Sequence, residues 1–136
     1  MTIALSLTPS FALPVARGGV RLVLRAEGLA LLGVAAVLYA RTGFSWSLFG
    51  GLFLAPDISF VGYALGPKWG AAAYNAVHAT LAPLALGVAF LCLSWPPGEA
   101  LALIWLAHVG FDRAAGYGLK YSAAFADTHL GHVGRP

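Results

Sequence analysis

The chain has 136 residues, 60% of them hydrophobic and only 10% charged, with a formal net charge of +3 and a mean hydropathy of +0.80. A water-soluble domain of this length carries about 25% charged residues, so this composition points away from that class and towards one membrane domain. The single cysteine, Cys92, excludes an intrachain disulfide and a cysteine-built metal cluster. The small, dispersed positive charge offers no surface for nucleic acid.

Residues 1–16 are mildly apolar but interrupted by Pro9 and Pro14. Arg17, Arg21 and Arg25 follow that stretch, whereas a secretory signal places its positive charge before the apolar core. Residues 1–21 are therefore expected to form an irregular or interfacial leader. Apolar runs over 22–40, 44–65, 70–93 and 99–119 are each close to the roughly 20 residues that cross about 30 Å of hydrocarbon. The links between them are turn chemistry: Arg41-Thr42-Gly43, Gly66-Pro67-Lys68-Trp69 and Ser94-Trp95-Pro96-Pro97-Gly98. Links this short make each helix antiparallel to the last. The expected fold is all-α: a four-helix antiparallel transmembrane bundle over 22–119, followed by a cytoplasmic segment over 120–136.

Positive charge sets the orientation. With the N-terminus inside, Arg17, Arg21, Arg25, Lys68, Lys120 and Arg135 fall on the cytoplasmic side and Arg41 alone on the other. Both termini are then cytoplasmic. Trp46, Trp69 and Trp95 sit at expected span ends, where interfacial aromatics belong.

With that orientation, the polar residues of the spans share one depth. Glu27 lies near the inner end of span one, and Asp57 about 12 Å from the inner end of span two at 1.5 Å per residue. Asn75 and His78 fall in the first three turns of span three. His108 lies near mid-depth in span four, with Asp112 one turn deeper. His108 and Asp112 share a helix face, as do Tyr74 and His78, while Arg113 points more than a quarter turn away from His108. Pro56 frees the Leu52 carbonyl beside Asp57, and Pro83 frees the Ala79 carbonyl beyond His78. Freed carbonyls inside a bundle must find donors or line a wet cavity. The final stretch adds a basic-aromatic exit, Gly116 to Tyr121, and then Asp127-Thr128-His129.

Ionisable groups are expensive in hydrocarbon and mark sites. Asp57, His78, His108 and Asp112 form the candidate catalytic and metal-ligating set. Asn75, Arg113, Lys120 and His129 are the candidates for holding a cofactor or substrate. Each also has a plain structural use. The histidines could be interhelical hydrogen-bond partners, worth about 0.6–2 kcal/mol per pair. Asp57 could pair with Arg113 or Lys120, Asp112 with Arg113 at a helix end, and Glu27 with Arg25. Asp127 and His129 could cap the last segment, and Cys92 could be a small buried hydrophobe.

The strings Leu54-Ala55-Pro56-Asp57-Ile58-Ser59, Gly62-Tyr63 and Gly66-Pro67 carry a resemblance. So do Ala73-Tyr74-Asn75-Ala76-Val77-His78 and Trp105-Leu106-Ala107-His108-Val109-Gly110-Phe111-Asp112-Arg113, with Gly116 to Tyr121 and Asp127 to Gly131. Over about residues 21 to 131 the chain resembles domain-of-unknown-function family 4260, small four-span bacterial membrane proteins. The resemblance implies a location in the bacterial inner membrane and picks out the same polar positions. It implies no activity.

Three functions follow from these residues. Two imidazoles and two carboxylates supply four ligands for a divalent first-row metal, and His78 with His108 could instead ligate a haem or pigment axially. Such a site could act on a membrane amphiphile, with one side chain as general base and Arg113 and Lys120 holding an anionic group. The second function is an accessory subunit in a larger membrane complex, packing through the lipid-facing surface; Gly28, Gly33, Gly50, Gly51 and Ala71 to Ala73 permit close helix approach. The third, a proton or small-solute pathway, is disfavoured by the uniformly apolar outer half.

Overall fold

The computed structural model describes residues 14–133. Of the leader expected over 1–21, residues 1–13 lie outside the described residues, as does Arg135, and residues 18–21 are already helical. The chain is mostly helical, in the order α1 (Gly18–Arg41), α2 (Trp46–Leu52), a 3-10 helix (Ala55–Leu65), α3 (Pro67–His78), α4 (Leu81–Cys92) and α5 (Pro96–Ala115). Two short antiparallel strands, β1 (Asp127–Thr128) and β2 (Gly131–His132), follow.

Proline placement explains where these helices break. Pro56 has no N–H for the carbonyl of Leu52, so α2 stops there and the chain tightens into a 3-10 helix of 11 residues. Runs longer than about 3–4 residues in that conformation are uncommon and mark strained or functional segments. The stretch expected as one continuous second span is therefore two elements. The third expected span also divides. Pro83 has no N–H for Ala79, Ala79 becomes extended at φ −74° and ψ 133°, and α3 ends on His78.

The fourth helix differs from its expected bounds at both ends. Pro96 and Pro97 open it, where absent N–H groups cost nothing. Gly116, in the left-handed region at φ 98°, closes it. Tyr117 N donates to the Asp112 carbonyl at 2.8 Å, turning the chain away before residue 119.

Among the described residues, three helical stretches are long and apolar enough to cross a membrane: Gly18–Arg41, Trp46–Leu65 and Pro67–Cys92. The stretch expected as the fourth span is not among them, because α5 carries Glu99, Asp112 and Arg113. Its burial supplies the reason. Ten of the twenty residues of α5 are buried, against three of twenty-four in α1 and one of twelve in α4. A helix enclosed by its neighbours need not be as apolar as one facing lipid.

α1 and α4 pack on α5, and α3 packs on the 3-10 helix, which also touches α5. α1 runs antiparallel to α5: Gly28 meets Gly110 and Ala114, Ala35 packs with Leu106 and Ala107, and Tyr39 with Ala100 and Ile104. At this crossing the backbones nearly touch. A Cβ on Gly28 would lie 2.7 Å from Ala114 N, and one on Gly110 would lie 2.6 Å from Leu32 N. Of the other glycines expected at close contacts, Gly33, Gly50 and Gly51 face open space. The outward faces are apolar, with Val20, Leu22, Val37, Val61, Leu81 and Leu91 all exposed.

Candidate functional site

The two helix breaks and α5 bring four ionisable side chains together. Asp57 sits in the first turn of the 3-10 helix, immediately after Pro56. His78 is the last residue of α3, and His108 and Asp112 lie one turn apart on α5. His78 Nε2 is 3.1 Å from His108 Nε2, 3.4 Å from Asp57 Oδ1 and 3.6 Å from Asp112 Oδ2. His108 Nε2 is 3.5 Å from Asp57 Oδ1 and 3.8 Å from Asp112 Oδ2. One donor atom from each residue falls within 4.8 Å of all the others. The side chains of His78 and His108 are 0% and 1% exposed, that of Asp112 11% and that of Asp57 33%.

The surroundings orient these groups. His78 Nδ1 is 3.0 Å from the Tyr74 carbonyl. A carbonyl only accepts, so Nδ1 carries the hydrogen and Nε2 of the neutral ring presents a lone pair to the cluster. His108 Nε2, 3.1 Å away, either donates its own hydrogen to that lone pair or shares a cation with it. Tyr74 acts on two members at once: its ring stacks on His78 at 3.7 Å, and its hydroxyl donates to Asp112 Oδ2 at 3.0 Å. Phe53 meets the His108 ring edge-on at 5.4 Å. His108 Nδ1 is buried with no hydrogen-bond partner among the described residues.

Metal geometry can be tested against these distances. Four ligands at about 2.0–2.1 Å around a tetrahedral ion stand about 3.3 Å apart. The four separations between a histidine and a carboxylate, with the one between the two histidines, run from 3.1 to 3.8 Å around that value, and all four donors lie within 4.8 Å of one another. A haem held between the two histidines does not fit. Axial nitrogens on opposite sides of one iron stand about 4 Å apart, twice a metal–nitrogen bond of about 2 Å. The 3.1 Å gap leaves no room for a macrocycle between the rings.

The chain matches the family model described as Domain of unknown function (DUF4260) over residues 21–133. It belongs to the DUF4260 family. No curated protein and no solved structure matches it.

In this DUF4260 chain, the candidates for holding a cofactor are engaged with backbone around the cluster. Arg113 Nη2 donates to the His78 carbonyl at 2.8 Å and Nη1 to the Tyr117 carbonyl at 2.6 Å. Trp105 Nε1 donates to the Val77 carbonyl at 2.6 Å. The carbonyls left over where α3 breaks thus find side-chain donors on α5, and Arg113 adds a favourable cation at the helix C-terminus. Asn75 clamps the backbone of Lys120, donating to its carbonyl at 2.8 Å and accepting from its N–H at 2.7 Å. Lys120 Nζ donates to the Phe125 carbonyl at 2.8 Å, 3.7 Å from the Phe125 ring centre and 4.8 Å from that of Tyr74. Burial lowers the Lys120 ammonium below its usual pKa, with Asp112 opposing.

His129 Nδ1 accepts from Leu119 N at 2.8 Å. Burial, assisted by Arg113, lowers its imidazole below the usual value. The last segment is thereby tied beneath the cluster, with β1 and β2 pairing Asp127 to His132. Glu27 stays on an exposed face of α1, apart from the other polar residues. Tyr74 is the neighbour of the site that the candidate set lacked. Its signal in the sequence was the four-residue spacing to His78.

Proposed function

We propose that this protein is a multi-pass membrane protein that binds a divalent first-row transition metal through Asp57, His78, His108 and Asp112. The observation that carries the reading is four nitrogen and oxygen donors from three elements, all within 4.8 Å and mostly buried. A dication would hold these four otherwise mutually facing donors together, each supplying a lone pair. The hydrogen bond from His78 Nδ1 to a carbonyl is the arrangement that metal-ligating histidines commonly use to fix their tautomer. Mixed imidazole and carboxylate donors suit zinc or a neighbouring first-row ion.

In this reading α5 is the fourth membrane pass, enclosed by the other helices, and both termini lie in the cytoplasm of a bacterial inner membrane. The excess of arginine and lysine on one side of the four passes supports that orientation.

Elemental analysis of the protein purified in mild detergent tests the metal. One metal ion per chain is expected, and His108→Ala should lose it while still inserting in the membrane. Normal occupancy in that variant, or a metal-free native protein, would overturn the reading.

A further inference from the structure

Access to the cluster is one-sided. Away from the helix breaks it is covered by the C-terminal segment: Lys120, Thr128 and Leu130 are buried, and Asn75 fixes the Lys120 backbone from both sides. Asp57 is the only member of the four with substantial exposure. Its neighbours on that surface, Leu54, Ile58 and Val61, are exposed and apolar. A groove of about 320 Å³ lies alongside, lined by Leu52, Pro56, Val77, Leu101, Ile104 and Trp105 among others. Pro56 is bonded to Asp57 and Val77 to His78, and Ile104 shares a face of α5 with His108. The groove therefore lies beside the cluster along α5, though none of the four donors lines it. An apolar groove beside a set of polar donors suits a molecule built the same way.

We propose that the site binds a membrane amphiphile from within the bilayer, its head-group oxygen on the metal beside Asp57 and its alkyl chain in this groove. The proposal rests on the metal reading above and adds the ligand class. Any bilayer chain can brush an apolar groove, and the donor set beside it selects for a head group that ligates metal. The volume lies within the range of about 300–1,000 Å³ usual for ligand pockets.

The experiment uses the full chain loaded with Co²⁺ in phosphatidylcholine nanodiscs, following the visible cobalt spectrum. Octylphosphonate should perturb it at concentrations at least tenfold below methylphosphonate. Leu101→Trp, which fills the groove, should bind cobalt normally and lose that chain-length advantage. Val20→Trp, on the exposed face of α1, should keep it. Equal potency of the two phosphonates would overturn the proposal and leave the metal reading intact. So would an advantage that survives in Leu101→Trp, since it would then reflect bulk partitioning alone. Failure of the native chain to take up cobalt would overturn both.

Discussion

Tyr74 shows how much one side chain can do for a buried site. Its carbonyl sets the tautomer of His78, its ring backs the imidazole, and its hydroxyl holds Asp112. Partners of this kind typically account for 10- to 100-fold in metal affinity. Tyr74→Phe keeps the ring and the carbonyl and removes only the hydroxyl. Competition with a chromophoric chelator should show affinity falling by about 10-fold or more, with helix content unchanged. An affinity equal to that of the native protein would remove the hydroxyl from the site's support. Asp57 differs from the other three candidate ligands in its exposure, so Asp57→Asn should weaken binding less than His78→Ala in the same assay.

At the scale of elements, the two breaks in the hydrophobic stretches decide the chemistry. An unbroken second span would carry Asp57 on a regular α-helix, and an unbroken third would satisfy the His78 carbonyl internally. The early end of α3 instead leaves carbonyls that Arg113 and Trp105 answer from α5. The C-terminal segment is held by a few specific hydrogen bonds. Asn75→Ala would strip two of them from the Lys120 backbone, at about 1–3 kcal/mol for each buried group left unpaired. Hydrogen exchange should then rise from Lys120 to Leu130 and stay unchanged in the middle of α5. Equal protection in both proteins would mean that other contacts hold the segment.

The same segment should respond to pH through His129. Its folded pKa lies below the unfolded value of about 6.5, so the unfolded segment takes up a proton first. The stability contribution is fully present above about pH 6.5 and declines as pH falls towards the lowered folded value. A protonated Nδ1 also cannot accept from Leu119 N–H. Protease cleavage between Lys120 and Leu130 should be faster at pH 5.5 than at pH 7.5, and His129→Asn should flatten the difference. A pH dependence unaltered in that variant would assign the effect elsewhere, for example to the Asp127–His132 pair.

For the whole molecule, the metal and the membrane make separate predictions. With the proposed ligands on three elements, an ion bound to the folded state alone would stabilise it, by about 2.7 kcal/mol at 100 times Kd. Chelation should lower the Tm of the native protein in detergent and leave that of His108→Ala unmoved. Orientation is tested by fusions at Pro136. A green fluorescent protein there should fluoresce, and an alkaline phosphatase should be inactive, if the C-terminus is cytoplasmic. The opposite pattern would reverse the topology while leaving the site geometry untouched.

The sequence by itself determined a mostly helical chain with stretches long and apolar enough to cross a membrane, because composition and run length record how much apolar surface each stretch carries. It also singled out Asp57, His78, His108 and Asp112, because charge is costly in such surroundings and each is conspicuous wherever the helix ends fall. The two proline breaks were legible as freed carbonyls beside Asp57 and His78. Their result, a 3-10 helix and a split third stretch, was not, because the outcome depends on which donors a neighbouring helix presents. The roles of Asn75, Arg113, Lys120 and His129 were equally hidden, since their partners are backbone atoms far along the chain and backbone leaves no trace in composition. Only tertiary structure decided that α5 is the enclosed helix. Its charges lower its hydropathy, and nothing in a linear window records that neighbouring helices, rather than lipid, surround it.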